Sequence, residues 1–101
     1  MVPPQDLTAQ GSAVLATGDR DAVTVINAAV RAGVSIPGSL AVMGINNYPI
    51  AEHAVVPLTS VDIPVAQDAE RCLRLLTEIL AGKRQHIQEY SEIRVVPRES
   101  A

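Results

Sequence analysis

Two short stretches of this chain are apolar almost without interruption, and two longer ones are apolar only at every third or fourth residue. The short ones, SAVLAT from Ser12 and LAVMGI from Leu40, are bounded by turn formers, the pattern of strands buried on both faces. Between them Ala22, Val23, Ile26, Ala29 and Val30 fall on one stripe, which predicts a helix over residues 20–32. Its ends are marked as well. Asp19 is placed to accept backbone N–H bonds as an N-cap, Asp21 suits the first turn of the helix dipole, and Gly33 sits where a left-handed residue ends a helix. Strand, helix and strand in this order predict a right-handed crossover between parallel strands.

Past Ile45 the pattern changes. Asn47 is expected to cap a short helix with Pro49 in its first turn, and PLTSVDIP reads as a brief extended stretch between two prolines. The longest element starts at Pro64. Val65, Ala69, Cys72, Leu73, Leu76, Ile79 and Leu80 form its stripe, and Gly82 with Lys83 closes it. SEIRVVPRES is expected to form an edge strand, because Pro97 removes a ladder donor. The opening MVPPQDLTAQG is polar and proline-bearing, as in a loop or frayed terminus.

These elements do not balance. Strands apolar on both faces need cover above and below, yet only two substantial helices are present, and the longer has little to pack against. Either a second copy supplies the missing cover, or the 101 residues belong to a larger machine.

Composition narrows the function classes. With 48% hydrophobic and 19% charged residues the chain is built to fold, as at most one small domain. A net charge of −3 provides no basic stripe for phosphates, so direct contact with nucleic acid is not expected. There is no secretory leader pattern and no apolar run of about 18 residues, which points to a soluble, non-exported protein without membrane contact. Cys72, the single cysteine, is expected to be a buried small hydrophobe. His53 beside Glu52 and His86 in a polar tract have no second histidine or cysteine at ligand spacing, so neither a metal centre nor catalysis nor a cofactor is expected.

The order of motifs resembles the C-terminal third of the LacI/GalR family of bacterial transcription regulators. ATGDRDA stands where the family has a strand ending in an Asn–Asp pair. AGVSIPGSLAVMGINN stands where a glycine-ended helix and a Val-Pro turn lead into a strand ending in two acidic residues. PLTSVDIP, the long helix and VVPRES follow in the family's order, so the likeness covers Ser12 to Ser100. It implies an α/β fold of the periplasmic-binding-protein-like type, two lobes about a hinge with a small molecule in the cleft. The 101 residues would be a partial domain, mostly the C-terminal lobe: a parallel sheet flanked by helices, with the DNA-binding region lying elsewhere.

The resemblance also implies site residues. Family members place polar side chains from the two strand ends on a sugar effector, and those positions here are Gly18 and Asn46, which removes one side chain and one charge. Asp19 matches the second position of the first pair, where helix capping competes with ligand contact. Val65 stands at the crossing into the long helix, where some relatives present an aromatic ring; a core or first-turn role competes. Val23 and Ala54 align with the surface through which family members pair, implying a homodimer. A cytoplasmic regulator is thus expected, with a small-molecule effector held by the complete domain. An exported sugar-binding protein of the same fold, and a small interaction protein that folds only as a dimer, remain open alternatives.

Overall fold

A computed structural model describes residues 11–83 and 88–101. Among the described residues the elements are β1 (Ser12–Leu15), α1 (Asp19–Arg31), β2 (Leu40–Ile45), α2 (Pro49–His53), β3 (Thr59–Asp62), α3 (Val65–Leu80) and β4 (Arg94–Val96). The strands form one sheet in the order β1-β2-β3-β4. β1, β2 and β3 run parallel, with Val14 opposite Val42 and Ile45 opposite Val61, while β4 returns antiparallel, with Val95 opposite Val61. The parallel core and the edge position of the last strand both agree with the hydrophobic pattern.

Period and capping explain the helices. Ala22, Ile26 and Ala29 of α1 are buried against Leu40 and Val42 of β2, with Ala51 of α2 and Leu58 completing the core. Full burial of Ile26 contributes roughly 1.5–3 kcal/mol. α1 ends at Gly33, whose φ of +75° lets the Gly33 and Val34 amides donate back to the Val30 and Ala29 carbonyls. α3 ends the same way at Gly82.

The residues after β4 enter the sheet itself. Ser100 is fully buried between the start of β2 and the start of β3. Its hydroxyl donates to the Val42 carbonyl at 2.6 Å and accepts from the Thr59 amide at 2.8 Å. Its own amide donates to the Pro57 carbonyl, and its carbonyl accepts from the Val42 amide.

One face of the sheet is covered by α1 and α2. On the other, Ala13 and Leu15 of β1 are exposed, Leu15 by 61%, and Ala41, Met43 and Ile45 of β2 are only half-buried. Among the described residues the sheet thus has helical cover on one side alone, as the imbalance of elements suggested. The same shortage shows in α3, which buries none of its residues: Leu73 is 68% and Leu80 79% exposed. One expectation is corrected here: Cys72 is exposed rather than buried, because the α3 stripe exists but none of the described residues packs on it closely enough to bury it. Val65 opens the first turn of α3, one of the two structural roles expected for it.

Candidate functional site

Because β1, β2 and β3 are parallel, their carboxyl ends open onto one edge of the sheet. That edge gathers Gly18 after β1, Asn46 and Asn47 after β2, and the run from Ile63 to Val65 after β3. α1 starts there too, with Gly18 as its N-cap and no side-chain cap bond.

Asp19 does not cap the helix. It is the first residue of α1, fully buried, and its carboxylate reaches across the strand ends. Oδ1 accepts from the Ser60 hydroxyl at 2.6 Å, and Oδ2 accepts from the Tyr48 amide at 2.6 Å. Asn47 does not cap α2 either. Tyr48 occupies that position without a side-chain bond, while Asn47 Oδ1 accepts from Arg98 Nη2 at 2.7 Å. In both positions a bond to a distant strand or loop displaces the local cap, since a cap at a solvated helix end stabilises by only about 1 kcal/mol.

Asn46 behaves differently. Its φ is +104° and that of Asn47 is +56°, conformations that cost L-residues energy and that Asn tolerates better than most. The backbone amides of three successive residues are all engaged: Asn46 donates to the Val61 carbonyl, Asn47 to Ser60 Oγ, and Tyr48 to Asp19. The Asn46 side chain, half-buried at the edge, makes no hydrogen bond to any described residue, so its amide is left to meet whatever enters.

Gly18 has an extended φ of −158°, and a Cβ added there would meet nothing within 4 Å. Gly18→Asn should therefore fold unimpaired. It should gain a few tenths of a kcal/mol from capping in urea unfolding, because glycine is only slightly inferior to Asn at an N-cap. A loss of stability would mean that the edge is closed at that point.

The remaining candidates divide. Val65 stands on the same edge, exposed. Val23 and Ala54 are half-buried on the α1 and α2 side, with Val23 packed against the core and Ile50 and Val55 exposed nearby. His53 is exposed at the end of α2, and His86 lies outside the described residues. Among the described residues no group of three or more His, Cys, Asp or Glu side chains is placed to hold a metal, and no helix is long and apolar enough to cross a membrane. Ser60 and Arg98 were missed from sequence. The only signal for Ser60 was a polar pair, Thr59–Ser60, set between Leu58 and Val61.

A mostly parallel sheet that gathers a glycine, an asparagine amide and a helix start at one carboxyl edge has the architecture in which open α/β sheets bind small molecules. The chain belongs to the periplasmic binding protein-like domain family, which it matches over residues 2–101, and within it to the LacI-type transcriptional regulators. It is 33% identical over 93 residues to the lactose operon repressor of Rhizobium radiobacter, covering 92% of this chain and 78% of that protein. It is similar to a LacI family transcriptional regulator from Lactobacillus casei solved with bound sucrose: TM-score 0.71 and 36% identity over 88% of this chain and 33% of that one. It is also similar to the transcriptional regulator CelR in complex with cellobiose: TM-score 0.81 and 28% identity over 92% of this chain and 29% of that one. Against two further curated regulators it spans 24% and 22% of their length.

Proposed function

We propose that residues 1–101 correspond to the C-terminal portion of the effector-sensing domain of a cytoplasmic transcriptional regulator, and that the carboxyl edge of the sheet is half of its effector cleft. The observation that carries this reading is Asn46: a positive-φ residue with all neighbouring backbone amides engaged and its own side-chain amide uncommitted. Strain held in place by surrounding bonds is what a preorganised binding residue requires. The sucrose and cellobiose complexes of two relatives make a sugar hydroxyl array the first ligand to try. DNA is contacted through another part of the regulator, since this chain carries a net charge of −3. Pairing of two copies through the α1 and α2 surface, with Val23 and Ala54 near its centre, is supported by the exposed Ile50 and Val55 alongside.

The test is to titrate sucrose and cellobiose into the isotope-labelled chain and follow its amide spectrum. Half a cleft should bind in the millimolar range, about 4 kcal/mol, with shifts confined to Gly18, Asn46 and Val65. Asn46→Ala should weaken this about tenfold, the effect of one buried hydrogen bond. Shifts scattered over the exposed face of α3, or none at Asn46 with either sugar, would refute the assignment.

A further inference from the structure

Asp19 is buried at the edge where a ligand would enter, yet both of its carboxylate oxygens are already engaged by the protein. Its Oδ1 fixes the Ser60 hydroxyl, leaving the Ser60 oxygen to accept from the Asn47 amide at 3.0 Å. Its Oδ2 fixes the Tyr48 amide. One carboxylate thus holds both sides of the turn that Asn46 begins, through residues 41 positions apart in the chain for the Asp19–Ser60 pair. The Asn46 amide is held in turn by the Val61 carbonyl of the same strand. From the far side Arg98 holds Asn47 Oδ1 and, through Nη1, the Leu58 carbonyl at 2.7 Å.

We infer that Asp19 and Ser60 are positioning residues for effector recognition: they touch no ligand and instead hold the Asn46–Tyr48 turn in its positive-φ form, so that the Asn46 amide faces the cleft before a ligand arrives. The inference rests on the reading of Asn46 as an effector contact. Two features argue for positioning over contact. Asp19 is fully buried behind the Ser60 hydroxyl and the Tyr48 amide, so a ligand hydroxyl has no open path to its carboxylate. And a strained turn persists only where the surrounding structure over-determines it, which here is done by bonds from α1, β3 and the Arg98 side chain. The pair also links the ligand edge to β3, the strand from which the chain leaves the sheet for α3.

The experiment uses the full chain, with Ser60→Ala as the milder variant and Asp19→Asn as the second, which keeps the shape of the side chain but not both acceptors. Amide exchange and the intraresidue amide-to-Hα Overhauser contact, which is strong at positive φ, are measured at Asn46, Asn47 and Tyr48, with the core amide of Ile26 as reference. The expected result is faster exchange at Asn47 and Tyr48, by roughly 5–30-fold relative to Ile26, with weakened contacts at Asn46 and Asn47. Equal acceleration at Ile26, or unchanged contacts at Asn46, would overturn the inference, since a merely structural bond loosens the whole fold. Sucrose and cellobiose titrations run in parallel keep the two readings apart. If the wild-type Asn46 signal responds to neither sugar while the exchange pattern holds, the effector reading of the edge fails and the hold of Asp19 and Ser60 on the turn stands.

Discussion

Gly44→Ala should destabilise the chain by about 3–5 kcal/mol, the sum of overpacking a filled core site and disturbing a buried hydrogen-bonded carboxylate. Gly44 lies near the carboxyl end of β2, buried, directly under the start of α1. A Cβ there would stand 2.9 Å from Leu58 Cδ2 and 3.2 Å from the Asp19 Cα, and would meet Asp19 Oδ1 more closely still. Neither neighbour can swing away, since Leu58 and Asp19 are both fully buried. The methyl group must therefore lift α1 from the sheet or push Asp19 off Ser60 and Tyr48. Urea unfolding of wild type and variant measures the loss. A change below about 1 kcal/mol would mean that the sheet accommodates a methyl group there, and that Asp19 is not seated against β2.

The second large effect belongs to Ser100. Ser100→Ala keeps both backbone bonds of the residue but removes the hydroxyl shared by the Val42 carbonyl and the Thr59 amide. Two buried backbone groups on adjacent strands then lose their partner where water cannot replace it. Each such group costs about 1–3 kcal/mol, so a loss of about 2–4 kcal/mol is expected. Glu99→Ala, at the exposed neighbour, should stay within about 0.5 kcal/mol. Equal midpoints for the two variants in urea would show that the seam between β2 and β3 does not depend on this hydroxyl.

What could be read from sequence, and what could not, divides by range along the chain. The buried strands, the α1 stripe, the glycine-ended helices and the edge strand with Pro97 follow from spacing and backbone chemistry within a few residues. The edge proposed as the site follows from a topological rule, because parallel strands must open their carboxyl ends on one side. The failures share a cause. Asp19 and Asn47 are good local caps by type, and both are taken by partners far away: Ser60 for the first, 41 positions on, and Arg98 for the second, 51 positions on. Local propensity cannot foresee which long-range bond competes with it. The stripe of α3 is apolar as expected, but burial of Cys72 needed a facing surface that the described residues do not present. The shortage of cover, by contrast, was visible from counting helices against strands.

The seat of Ser100 has a consequence for how the protein is made. Val42 emerges from the ribosome 58 residues before the serine that closes its side of the sheet, an interval of about 3–12 s at ordinary elongation rates. Throughout it, the first half of β2 has the hairpin-free side of a parallel strand open, with an unpaired carbonyl and amide at Val42. The helix α1 can dock in that time, and β3 can pair with Met43 to Ile45, but the Val42 end of the seam waits for residue 100. Synthesis therefore passes through a stage in which the nascent sheet is a two-stranded β1–β2 ribbon with an apolar flank. A pause anywhere between residues 42 and 100 prolongs the exposure of the Val42 groups, whereas a pause before Val42 does not.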